Sequence, residues 1–215
     1  MSVEAVIWDF GGVLTASPFE AFNRFEAERG LPHDFVRRVN ATNPHDNAWA
    51  RLERAEIERA AFDALFRQEA RALGCDVGGG EILAILAGAI RPRMVAALRA
   101  CKARFKVGCI TNIFLAEDGG SHRMADGVGE VFALFDAVIE SAQAGVRKPD
   151  PAIYRMMCER LGVEPAACVY LDDLGVNCKP AAQLGMTAIK VTGEDQALAE
   201  LARATGLRFE EEALA

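Results

Sequence analysis

Short apolar runs and helix-spaced apolar positions divide this chain into two textures. The first run, Ala5-Val6-Ile7-Trp8, is rich in β-formers and predicts a buried strand that stops at Asp9, just ahead of Gly11-Gly12. From there to residue 90 the spacing is helical. Phe19, Phe22 and Phe25 recur every third position over 18–30, and Gly30-Leu31-Pro32 closes that segment. A short helix is expected over 33–40 and a loop over 42–46, where turn residues cluster. Residues 55–73 predict a strong helix with Ile57, Ala61, Leu65 and Phe66 in one stripe. Asp76 to Gly80 interrupts it, and 81–89 resumes as helix.

From Pro92 the two periods alternate. Helix is expected over 92–102, strand over 105–111 and strand over 137–139. Between them, 114–128 is polar and glycine-rich. Asp150 as N-cap and Pro151 at the first turn open a helix that runs to Leu161 and stops at Gly162. Then come strand 168–171, helix 177–184, strand 187–191 and helix 195–205. Strands alternating with helices imply an α/β fold with a Rossmann-like parallel sheet. Nothing between 16 and 90 has the period of a strand, so this stretch reads as a helical insertion after the first strand. The core is then 1–15 plus 91–215.

Charge and cysteine content narrow the function classes. The net charge is −7 and no basic stripe occurs, which argues against nucleic acid as a partner. No apolar stretch reaches membrane-spanning length, and the acidic start MSVEAVIWDF lacks the basic region of a signal peptide. The six cysteines show no CxxC spacing, and Cys109 and Cys168 sit in apolar runs. Reduced thiols and a cytoplasmic setting are expected.

Polar groups stand where four strands end. Asp9 follows the first strand, Thr111-Asn112 closes the second, Lys148 lies in the loop after the third, and Asp172-Asp173 closes the fourth. In a parallel sheet all C-terminal ends share one edge, so these groups should converge. Asp9 with Asp172 and Asp173 makes an oxygen-rich site suited to Mg²⁺. The Thr111 hydroxyl, the Asn112 amide and the Lys148 ammonium are donors for phosphoryl oxygens. A carboxylate nucleophile can then accept a phosphoryl group as an aspartyl-phosphate. Each piece also has an ordinary reading: a strand-end turn, a surface lysine, a pair of helix-capping carboxylates. Arg147, beside Lys148, reads as solvated charge.

In this order the motifs Asp9-Phe10-Gly11-Gly12-Val13-Leu14, Ile110-Thr111-Asn112, Lys148-Pro149-Asp150-Pro151 and Tyr170-Leu171-Asp172-Asp173 with Asn177 resemble the haloacid dehalogenase-like hydrolases. The last 110 residues are most similar to the phosphatase domain at the N-terminus of soluble epoxide hydrolase, in YLDDLGVNCKPAAQLGM and GVRKPDPAIY. The resemblance implies a helical cap over 16–90 and an active site with assigned roles. Asp9 would be nucleophile and metal ligand, and Gly11 would offer its carbonyl to the metal. Thr111 and Asn112 would bind the transferring group, while Lys148 would neutralise the anion and keep Asp9 ionised. Asp173 would ligate Mg²⁺ directly, with Asp172 as the close alternative, and Asn177 would orient the outer shell. The substrate would be a small phosphorylated metabolite and the protein a monomer or homodimer.

One position departs from the phosphatase pattern. The family's second aspartate, two residues past the nucleophile, is Gly11 here, so general acid–base help must come from elsewhere or be absent. His33, His45 and His122 are the candidate proton carriers. A metal-free 2-haloacid dehalogenase would account for the glycine. It would leave Asp172 and Asp173 repelling each other and Asp9. A phosphate-binding module that has lost turnover is the third reading. Phe19, Phe22 and Trp49 would line a pocket or simply fill the cap core, and Gly78-Gly79-Gly80 would be a hinge or a loop.

Overall fold

The computed structural model describes residues 2–86, 88–112 and 127–209. Along the chain lie β1 (Ala5–Trp8), α1 (Pro18–Arg29), α2 (Phe35–Ala41), α3 (Ala48–Glu53), α4 (Arg59–Ala72), α5 (Gly79–Ala84), α6 (Pro92–Lys102), β2 (Lys106–Thr111), α7 (Val128–Phe132), β3 (Ala137–Glu140), α8 (Ser141–Ala144), α9 (Pro151–Leu161), β4 (Cys168–Asp172), α10 (Gly175–Gln183), β5 (Thr187–Lys190) and α11 (Glu194–Thr205). The strands form one parallel sheet in the order β3-β2-β1-β4-β5. The first strand is central, with β2 on one side and β4 on the other, so the strand order reverses direction at β1. That is where open α/β sheets leave a crevice for ligands.

Helices cover both faces of the sheet, which is why its strands read as nearly unbroken apolar runs. By the two-residue period, Val6, Trp8, Val107, Cys109, Val169 and Leu171 share one face with side chains of α6 and α11. Ala5, Ile7, Ile110, Cys168 and Tyr170 share the other with α9. A third apolar cluster belongs to α1–α5 alone and is built around Phe22, Phe35, Phe62, Phe66 and Ile82. Trp49 stands edge-on to Phe62 at 5.5 Å and to Phe22 at 6.4 Å, so these aromatics fill the helical layer. The buried Glu26 carboxylate of α1 accepts from the Asp34 and Val36 N–H groups and caps α2 from outside its own chain segment.

The chain leaves and re-enters the sheet region side by side. Thr15 and Ile90 form an antiparallel bridge, flanked by Ala16 N–H to Ala89 O at 2.8 Å and Arg91 N–H to Leu14 O at 2.9 Å. Among the described residues no helix is long and apolar enough to cross a membrane, and the six cysteines are unpaired.

Four local expectations change. The helix expected over 55–73 begins at Arg59, because Ala55 takes a left-handed φ of 55° and turns the chain after α3, a helix the pattern did not announce. The helix expected over 81–89 is Gly79–Ala84. Gly78-Gly79-Gly80, expected as a hinge or a loop, is the cap and first turn of that helix. A Cβ at Gly79 would stand 2.6 Å from the Phe62 ring, so the glycine permits α5 to close on α4. The helix expected from 177 begins at Gly175. Residues 114–126 of the polar, glycine-rich segment lie outside the described residues, as does His122.

Candidate active site

The C-terminal edge of the sheet gathers the expected residues. Asp9 follows β1 directly, and its N–H donates to Leu171 O at 2.8 Å, which locks the end of β1 against the end of β4. Asp172 is the last residue of β4 and Thr111 the last of β2. Carboxylate oxygens of Asp9, Asp172 and Asp173 lie within 4.8 Å of one another. Oxygens on opposite sides of a Mg²⁺ ion are about 4.2 Å apart, twice the usual bond length. Hard oxygen donors gathered this closely form a group that could hold such an ion.

Lys148 is the positive counterweight. Its side chain is 1 % exposed, with Nζ 2.7 Å from Asp9 Oδ1 and 2.8 Å from Asp172 Oδ2. Burial works against its ammonium, but Asp172 and Asp9 together hold its pKa above the ordinary range. One ammonium cannot satisfy three carboxylates. Burial, reinforced by Asp172 and Asp173, keeps the Asp9 carboxyl above its usual range against the pull of Lys148. Burial, then Asp172, pushes Asp173 up to about 6. A divalent cation would relieve this excess of negative charge.

The two neighbouring aspartates differ in what they touch. Asp172 is saturated: Oδ1 accepts from the Leu174 N–H at 2.8 Å and the Asn177 amide at 3.0 Å, and Oδ2 accepts from Lys148 and the Tyr170 hydroxyl. Asp173 lies instead against Gly12, where a Cβ would come within 2.2 Å of its Oδ2. Gly12 also has φ 76°, so both its conformation and its emptiness are needed. Adjacent strand residues point to opposite faces, and Asp172 follows Tyr170 on the same face.

Asn112 is placed differently from the expectation that its side chain binds the transferring group. Its Oδ1 accepts from the Lys148 N–H at 2.9 Å and its Nδ2 donates to Lys148 O at 3.0 Å. The amide therefore clasps the peptide that carries the ammonium. Thr111 is fully buried at the end of β2. Asn177 donates its amide to Asp172, and its carbonyl accepts from the Tyr154 hydroxyl at 2.8 Å. Asp9 Oδ1 also accepts from the Phe10 N–H at 2.7 Å, which fixes the plane of the carboxylate. His33 is exposed and stands 3.2 Å from Asp34, and His45 is exposed in the loop before α3.

Sequence reasoning missed four side chains around this site. Tyr170 was legible in principle, two residues before Asp172 and so on its face. Tyr154, Arg147 and Glu53 reach the site only through tertiary packing. Arg147, expected as solvated charge, places Nε 2.6 Å from Glu53 Oε2 and donates from Nη1 to Pro44 O at 3.1 Å. Burial pushes the Glu53 carboxyl up to about 7, against the opposing pull of Arg147, a hydrogen bond from Trp49, and the charges of Lys148 and Arg54.

Comparison with known proteins bears on the family and the fold. The chain is 31% identical over 223 residues to bifunctional epoxide hydrolase 2 of Mus musculus, an alignment that covers 98% of this chain and 40% of that protein. It thus spans well under half the length of the first curated relatives it matches. A sesquiterpene phosphatase of Aspergillus oryzae is 28% identical over 94% of this chain and 97% of its own length. Among solved structures, a HAD family enzyme of Bacteroides thetaiotaomicron in complex with magnesium and inorganic phosphate superposes with a TM-score of 0.60 at 21% identity, covering 90% of this chain and 97% of that one. A family model for haloacid dehalogenase-like hydrolases matches residues 3–185, a span holding the strand-end carboxylates, Lys148 and the helical layer, and the chain belongs to that family.

Proposed function

We propose that this protein is a Mg²⁺-dependent phosphatase that acts on a small phosphate ester through an aspartyl-phosphate at Asp9. The observation that carries this reading is the trio Asp9, Asp172 and Asp173 within 4.8 Å, bridged on one side by the buried Lys148. Asp9, Asp173 and the Gly11 carbonyl would hold the ion, and Asp172, with every oxygen already engaged, would organise Lys148 and Asn177 around it. Bound there, Mg²⁺ supplies positive charge to the phosphoryl oxygens and offsets the repulsion among the carboxylates.

The chain's own groups account for the rest. Asp9, its plane fixed by Lys148 and the Phe10 N–H, attacks phosphorus. The P–O bond to the leaving group breaks, and water later releases the phosphate from Asp9. The Lys148 ammonium and the Thr111 hydroxyl stabilise the charge on the transferring group, a kind of contact worth roughly 10²–10³-fold in rate. Gly11 supplies no proton to the leaving oxygen, so the site suits esters whose alcohol departs as an anion. The acidic pair argues against a metal-free dehalogenase, since without a cation these carboxylates have only Lys148 to balance them. The relative named as a sesquiterpene phosphatase supports a phosphate-ester substrate in this family branch. The helical layer over α1–α5 would be the cap that closes on that substrate. Hydrolysis of p-nitrophenyl phosphate, with and without EDTA, tests the reading: activity indifferent to chelation, or kept in Asp9→Asn, defeats it.

A further inference from the structure

Glu53, at the C-terminal end of α3, is a buried charged residue that bridges the helical layer and the loop leading to Lys148. Its main-chain carbonyl accepts from the Ser141 hydroxyl at 2.6 Å, and its carboxylate stands 2.6 Å from Arg147 Nε. Ser141 opens the segment that follows β3, and Arg147 ends it, one residue before Lys148. A single residue of the helical layer therefore holds both ends of the stretch 141–147. The contact is braced on the helical side: Trp49 Nε1 donates to Glu53 Oε1 at 2.9 Å, and the Arg147 guanidinium also reaches Pro44 O at 3.1 Å. On the sheet side, the Asn112 amide clasps the Lys148 peptide through its N–H and its carbonyl. Lys148 is thus gripped from two directions, by Asn112 directly and by Glu53 through Arg147.

We infer that Glu53 is a positioning residue: through Arg147 and Ser141 it makes the placement of the Lys148 ammonium depend on the helical layer being seated on the sheet edge. This rests on the phosphatase reading and adds to it a route by which closure of the layer is felt at the phosphoryl-binding lysine. The charges that face Glu53 are Arg147 and Lys148 from the core and Arg54 from its own segment, with the Trp49 indole beside them. An ion pair like this one, with Glu53 buried and Arg147 partly buried, adds little to stability, because desolvation offsets the attraction. What such a pair fixes is geometry, and misplacing a catalytic group by about 1 Å costs on the order of 10²-fold in rate.

The test uses Glu53→Gln, which keeps an acceptor for Trp49 but removes the charge, together with Arg147→Gln and the double variant. For p-nitrophenyl phosphate with Mg²⁺, each single variant is expected to lower kcat roughly 10- to 100-fold, and the double variant is expected to be no worse than either single one. Hydrogen exchange of the intact protein, read without substrate, is expected to be faster over 141–148 in each variant and unchanged over α4. Unchanged kcat, additive losses in the double variant, or unchanged exchange over 141–148 overturns the inference. If the wild-type protein hydrolyses no phosphate ester, the functional reading fails by itself. The exchange result still decides whether Glu53 governs the Lys148 loop.

Discussion

The sheet edge and the helical layer solve opposite problems with similar residues. At the sheet edge, charge is concentrated: three carboxylates and one ammonium are packed where strands end, and burial and repulsion hold Asp9 and Asp173 above their usual range. In the helical layer, apart from the buried Glu26 and Glu53, charge is dispersed into exposed pairs such as Arg67–Asp76 and Arg29–Glu81, and the apolar interior is aromatic and aliphatic. Exposed pairs of this kind contribute little to stability. The first region carries unfavourable electrostatics and yields chemistry. The second holds itself together by packing and contributes contact. Substitutions in the two regions should therefore fail in different ways.

The largest effect is expected at the sheet edge. Asp9→Asn should lower phosphate-ester hydrolysis by roughly 10⁴-fold or more, the scale of losing a nucleophile that acts as part of a unit. Its thermal midpoint without metal should not fall, because the change removes one of three crowded carboxylates while leaving the fold's packing intact. A lowered midpoint with normal turnover would invert the contrast and make Asp9 a structural group. Next comes the helical layer. Phe62 is fully buried, stacks edge-on with Trp49 and sits under Gly79. Phe62→Ala should cost about 3–5 kcal/mol in urea unfolding, with Mg²⁺-dependent stabilisation of the sheet edge preserved wherever the protein is folded. Loss of Mg²⁺ response in the folded variant would mean that the two regions are less separable than their cores suggest.

The same contrast explains what the sequence disclosed. Strands buried on both faces must be apolar throughout, so a polar residue at the end of such a run stands out, and Asp9, Thr111 and Asp172 were legible for that reason. The period of two also carries the distinction between Asp172 and Asp173. Asp172 shares the face of Tyr170 and is consumed by Lys148, Leu174 and Asn177, whereas Asp173 turns to Gly12. Helix spacing located α1, but it ran α4 back through Ala55, because a left-handed alanine leaves no glycine or proline as a marker. Asn112 was assigned to substrate because its type permits it. Only the folded chain shows its amide committed to the Lys148 peptide. Glu53 and Arg147 were invisible as a pair, since 94 positions of sequence separate residues 53 and 147 and Glu53 lies in no motif.

Their joint is where the two regions meet, and its pH dependence gives the sharpest small effect. Burial raises the folded carboxyl of Glu53 from the ordinary 4.5 to about 7. Between those values the folded state binds more proton than the unfolded chain, so the contribution of this group to stability is fully present below about pH 4.5 and declines as pH rises to 7. The slope is at most about 1.4 kcal/mol per pH unit. Urea unfolding of wild type and Glu53→Gln at pH 5, 6, 7 and 8 isolates it. Wild type should lose ground to the variant from pH 5 to 7, and the difference should level off by pH 8. A constant difference would mean that burial and Arg147 balance. A difference that favours wild type as pH rises would mean that Arg147 stabilises the ionised carboxylate more than burial opposes it. The joint would then be a stabilising bond between sheet and helices. With the decline observed, it is a contact kept at some expense of stability, and what it secures is the position of Lys148.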